Sequence, residues 1–119
     1  KEMANTFKVV TKAGVTSVDV IYTVNDSPAT TTVVLGIILG NTTTTQQTAT
    51  VTLTSDTANR AGANNEANQA VELVTNAPIP AGSSLEMLAG NKVVLEQTDT
   101  ISVTATGATD VALSIMEIT

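Results

Sequence analysis

Cysteine, histidine and tryptophan are absent from this chain of 119 residues, and Phe7 and Tyr22 are its only aromatics. The missing cysteines leave no disulfide framework and no thiol nucleophile, and they say nothing of the redox compartment. The missing histidines remove the usual zinc sites and every Ser-His-Asp arrangement. Paired carboxylates alone can hydrolyse glycosides, yet a sugar site normally presents aromatic platforms, and both aromatics sit in strand patterns that predict core packing. Neither enzymatic function nor a cofactor is expected. Positive charge is scarce as well: 5 Lys+Arg against 11 Asp+Glu give a net charge of −6 and a pI near 4.2, which repels nucleic-acid backbones and anionic bilayers. Nucleic acid is therefore not an expected partner. Long apolar runs are missing too, since the stretch Val33-Val34-Leu35-Gly36-Ile37-Ile38-Leu39 falls far short of the roughly 20 residues of a membrane helix. No membrane insertion is expected. The polar start Lys1-Glu2-Met3-Ala4-Asn5-Thr6 does not read as a signal peptide, with Met3 a candidate initiator, and an end at Ile118-Thr119 inside a strand predicts a chain that closes on its own core.

What is present is one grammar repeated: Val, Ile and Leu alternating with Thr, Ser and Ala, punctuated by Gly, Pro, Asn and Asp. The period of two predicts strands near residues 6–11, 16–24, 31–39, 48–54, 70–75, 83–88, 92–97, 100–105 and 110–118, and no helix. Eight or nine short strands at this spacing predict an all-β, single-domain antiparallel β-sandwich with a jelly-roll-like arrangement over residues 1–119, preceded by an N-terminal arm at residues 1–5. By parity, Val18, Val20, Tyr22, Leu35, Ile37, Leu53, Leu73, Leu85, Val94, Ile101, Val103, Val111, Leu113 and Ile115 are expected to face the core. Residues 76–82, Asn-Ala-Pro-Ile-Pro-Ala-Gly, are the strongest punctuation, because two prolines deny ladder donors and Gly82 permits a positive φ.

Two segments depart from this grammar. Residues 31–39 carry large apolar groups at odd and even positions alike, which predicts either a central strand buried on both sides or a strand whose outer face is covered by another chain. Val34 and Ile38 are the expected contact residues, and a homo-oligomer, a trimer foremost, the expected state. Residues 56–69 contain no large apolar residue, so they cannot repay their ordering from the core and read as a surface loop. Asp56, Asn59, Arg60, Asn64, Asn65 and Glu66 are its candidate partner contacts, led by Arg60, the only arginine, whose planar fork suits a partner carboxylate. Several of these side chains carry oxygen ligands suited to Ca²⁺, but their spacing does not match the twelve-residue calcium loop, and a solvated loop is the preferred reading. The sequons Asn41-Thr42-Thr43 and Asn25-Asp26-Ser27 are chance matches in so Thr-rich a chain.

The segments Ala77-Pro78-Ile79-Pro80-Ala81-Gly82-Ser83-Ser84-Leu85-Glu86, Ala89-Gly90-Asn91-Lys92-Val93-Val94-Leu95-Glu96, Asp99-Thr100-Ile101-Ser102-Val103 and Leu113-Ser114-Ile115-Met116-Glu117-Ile118 resemble, in their order, a family of small tailed-phage virion proteins common in phages of marine bacteria, including cyanophages. Met3-Ala4-Asn5-Thr6-Phe7-Lys8, Val20-Ile21-Tyr22-Thr23-Val24 and Thr32-Val33-Val34-Leu35-Gly36-Ile37 fit the same pattern. The resemblance implies a non-enzymatic structural protein of the virion, a capsid decoration protein foremost, with other virion proteins as partners. A neck or tail accessory or tip protein with a receptor-contact loop, and a bacterial extracellular fibre or adhesin subunit, are the alternatives.

Overall fold

The computed structural model of the protein describes residues 4–55, 69–88 and 92–119. Strands take up 71% of those residues and helices none, so the strand grammar is realised throughout. The elements are β1 (Asn5–Val15), β2 (Val18–Thr23), β3 (Thr31–Asn41), β4 (Gln47–Ser55), β5 (Gln69–Ile79), β6 (Ser84–Met87), β7 (Val93–Leu95), β8 (Thr100–Ala105) and β9 (Thr109–Ile118). They form two antiparallel sheets. Sheet A has the order β1-β9-β3-β6, with β7 also on β3, and sheet B the order β2-β8-β4-β5. Both β6 and β7 run antiparallel to β3 along the same side, β6 opposite residues 37–40 and β7 opposite residues 32–34. Counted as one interrupted strand, they leave eight strands in the interleaved order of a jelly roll.

The core lies between the sheets and is aliphatic: Ile37, Leu39, Ile79, Leu95, Ile101, Leu113 and Ile115 are its largest fully buried side chains. Ile101, Val103, Val111, Leu113, Ile115 and Ile37 face it as their parity predicts, and Tyr22, Leu53, Leu73 and Leu85 pack at its margin. Leu35, half-buried, is not part of the core, and neither are Val18, Val20 and Val94, all three of which point to solvent. The cause in β2 is a bulge: Val20 opposes Ser102 and Tyr22 opposes Ile101, so Ile21 is an extra residue. A residue added to one strand of a pair reverses parity beyond it, which leaves Val18 and Val20 outside while Tyr22 and Val24 turn in. In β7, three consecutive apolar residues give parity no signal, and register with β3 sets Val94 outward between inward Val93 and Leu95.

A second bulge corrects the reading of β3. Val34 opposes Ile115 and Gly36 opposes Ser114, leaving Leu35 without an opposite residue. Inward positions are therefore Thr32 and Val34 before the bulge and Ile37, Leu39 and Asn41 after it, all of them buried. Much of the apolar character at both parities is thus absorbed by one core rather than by two. Val34, expected at a partner interface, is fully buried inside the sandwich, and Ile38 alone of that pair reaches the surface.

The punctuation at residues 76–82 also acts later than expected, because β5 continues to Ile79, which caps the core. Pro78 is tolerated there since β5 is an edge strand with a partner on one side only. The turn follows at Gly82, whose φ of 67° suits glycine, closed by Ser83 N–H donating to the Pro80 carbonyl at 3.0 Å. Asn41 ties the β3–β4 corner to the end of β5: its Nδ2 donates to the carbonyls of Thr45 and Ile79, each at 2.8 Å, and its Oδ1 accepts from Thr43 N–H. At 3% exposure, with its amide so engaged, Asn41 is structural and not a glycosylation acceptor. At the N-terminus, Ala4 and Thr119 exchange backbone hydrogen bonds, so residues 4 and 5 belong to the sheet rather than to an arm.

Candidate interaction surface

Register defines what each sheet shows to solvent. On sheet A, Val111, Leu113 and Ile115 of β9 turn inward, so Ala112, Ser114, Met116 and Ile118 turn out. Phe7 of β1 opposes Met116, Met116 opposes Val33 of β3, and Val33 opposes Val94 of β7. One uninterrupted apolar row therefore crosses the whole outer face. Val9 and Ile38 stand on the same side, and Phe7, Val9, Val94 and Ile38 are 71%, 64%, 60% and 46% exposed. Two shallow depressions of about 350 and 310 Å³ meet at Ile38, one reaching Thr11, Lys12 and Asp110, the other Leu35, Glu86 and Ser114. Two carboxylates lie toward the Gly40 end of this face. There Glu86 opposes Ile38, and Asp110 opposes Gly40 with its carboxylate accepting the Gly14 N–H at 2.8 Å.

Sheet B is the opposite kind of surface. Thr50, Thr52, Ser102 and Thr104 line its two central strands, with Val18 and Val20 only at the β2 margin. Hydroxyls there hydrogen-bond to water at little cost, whereas an exposed aliphatic row on sheet A gains from being covered.

The edges of both sheets are blunted. Lys8 and Lys12 sit on β1, Pro78 on β5 and the bulge at Ile21 on β2, while β6 and β7 are only four and three residues long. These are the devices that discourage edge-to-edge pairing.

Between the sheets, the one tyrosine anchors a polar clasp. Tyr22 Oη donates to Glu117 Oε2 at 2.6 Å, and its oxygen lies 2.8 Å from the buried Thr32 hydroxyl, which donates to it because the single phenol hydrogen is already given. Glu117 Oε1 also meets Lys8 Nζ at 2.7 Å. Burial, and then the bond to Glu117, push the Tyr22 phenol up to about 12. The hydrogen bond from Lys8, followed by that from Tyr22, holds the Glu117 carboxyl below its ordinary value. The clasp joins β1, β2, β3 and β9.

Of the contact residues expected from sequence, Ile38 lies on the outer face of sheet A and Val34 in the core, while Asp56, Asn59, Arg60, Asn64, Asn65 and Glu66 fall outside the described residues. Phe7 and Val94, both expected in the core, stand exposed on this face, and neither they nor Val9 and Met116 read as contacts from the sequence, because only the strand register shows that the four share a face. Among the described residues no three His, Cys, Asp or Glu side chains gather as a metal-binding group, and no helix is long and apolar enough to cross a membrane.

Comparison with known proteins gives fold without family. No protein-family model matches the chain, and no curated protein matches it significantly. Among solved structures, a chain of the Bacillus endospore appendages, described as a family of disulfide-linked pili, is similar with a TM-score of 0.50 and 16% identity, covering 98% of this chain and 88% of that one. A chain of the T13 particle of infectious bursal disease virus gives a TM-score of 0.41 at 9% identity, with 96% of this chain matched to 35% of that one. At such identities the likeness to the appendage chain is one of fold, a jelly-roll sandwich shared over nearly the full length of both.

Proposed function

We propose that this chain is a non-enzymatic structural subunit that assembles with copies of itself in a phage particle, as a decoration protein of the capsid. The observation that carries the structural role is the contrast between the two outer faces: an apolar one on sheet A and a hydroxylated one on sheet B. A subunit with one face to hide and one to show suits a layer or a polymer. Placement in a phage particle rests on the ordered resemblance of the segments at residues 77–86, 89–96, 99–103 and 113–118 to marine-phage virion proteins. A second reading, the subunit of an extracellular fibre, is favoured by the near full-length match to the pilus chain. Three copies were expected because β3 looked apolar on both sides. The bulge at Leu35 accounts for much of that pattern within one chain, so the copy number is for measurement to set.

Electron microscopy with mass analysis tests both readings. Hundreds of copies on a capsid surface support decoration, a few to a few dozen place the chain at the neck or tail, and filaments grown from purified protein support the fibre. Protein that stays single at every concentration and is absent from particles refutes all three.

A further inference from the structure

We infer that the outer face of sheet A packs against the same face of a second copy, around the row formed by Phe7, Met116, Val33 and Val94. The inference rests on the self-assembling subunit proposed above and names the surface it uses.

Three observations select this surface and this occupant. The first is area. The ten residues of β9 at roughly 3.3 Å each span about 33 Å, and four strands abreast at about 4.8 Å span about 19 Å, so the face projects to about 600 Å². Side chains standing on it bring the accessible area toward the roughly 800 Å² per partner that stable interfaces bury. The second is composition. An aromatic, a methionine and two valines form one row toward the Ile118 end of the face, and the carboxylates Glu86 and Asp110 lie toward the opposite, Gly40 end, away from that row. A chain of net charge −6 meets its own copy at least electrostatic cost through a patch poor in charge, and the apolar row of sheet A supplies one. The third is elimination: every edge strand is protected by lysine, proline, a bulge or shortness, so strand addition is opposed while the face is left uncovered. Two such faces packed together have the arrangement of aligned sheets in a sandwich, repeated between chains.

Sedimentation equilibrium of the full chain decides the matter, with Val94→Asp and Phe7→Ser as face variants and Val18→Asp as a control of similar exposure on sheet B. The face variants are expected to weaken association at least about tenfold and the control to change it less than about twofold. Both face positions are mainly solvent-exposed in the single chain, so circular dichroism is expected to show an unaltered fold, and Phe7→Ser keeps the test valid should the added charge of Val94→Asp disturb β7. If the native chain associates but only Val18→Asp disperses it, the face is wrong and self-assembly stands. If the native chain is single at all concentrations, self-assembly itself falls.

Discussion

Tyr22 shows how one residue links distant parts of the chain and what that does to its chemistry. Its expected inward orientation was legible in the alternation of the second strand, although for an incomplete reason, since the bulge at Ile21 is what turns it in. Its partner Glu117 is 95 positions away, and no local pattern announces that pairing. Because Tyr22 is the only tyrosine and tryptophan is absent, phenolate absorbance reports this residue alone. It is expected to titrate near 12 rather than at its ordinary 10.0. A folded value above the unfolded one means that the phenol contributes stability fully below pH 10 and loses it as pH rises toward 12. Titration at 10 in the folded protein would dissolve the clasp. Glu117 behaves in the opposite sense. Its depressed folded value contributes stability above the ordinary carboxylate range, lost as pH falls through the folded value. Glu117→Gln is therefore expected to be less stable than the native chain at neutral pH and to flatten the acid limb of the stability profile, measured by urea unfolding across pH. An unchanged acid limb would show that Lys8 and Tyr22 do not hold the carboxylate.

At the scale of the strand, the sequence was most legible where alternation was uninterrupted and least where a bulge intervened. β8 and β9 kept one parity from end to end, and Ile101, Val103, Val111, Leu113 and Ile115 all face inward as expected. In β3 the extra Leu35 placed Val34 and Ile37, an even and an odd position, on one face, and a strict period of two cannot express that. Adjacent identical residues test the point. Ile37→Ala, which opens a cavity in the core, is expected to cost about 2–5 kcal/mol, and Ile38→Ala, at the surface of the single chain, less than about 1 kcal/mol, by denaturant unfolding under dilute conditions. Equal costs would mean that β3 is buried on both sides after all. The connection between β4 and β5 calls for a separate measurement. Residues 56–68 lack large apolar groups, so their replacement by a short Gly-Ser turn is expected to alter stability by little more than the closure entropy of about 0.6 kcal/mol per doubling of length. Unfolding of that variant would show that the segment contributes to the core, and loss of assembly in a folded one would make it a contact loop centred on Arg60.

For the whole molecule, spacing alone pointed to a sandwich, because it is a sum over the chain that no single register error can upset. The outer surface was not legible in the same way. Phe7, Val33, Val94 and Met116 are scattered over more than a hundred positions and become a row only when four strands are aligned to the residue. Net charge then governs how such molecules meet. Each copy carries −6 while the proposed meeting face is nearly neutral, so two copies repel at a distance and attract only on contact. Salt shortens the reach of that repulsion, from a screening length of about 30 Å at 0.01 M to about 8 Å at 0.15 M, and leaves apolar contact largely untouched. Self-association at neutral pH is therefore expected to strengthen as salt rises through this range, measured as the association constant in sedimentation equilibrium. An interface built on ion pairs between the five basic residues and the acids of a neighbour responds the other way. Association that weakens steadily with salt would move the contact off sheet A and onto the charged margins of the sandwich.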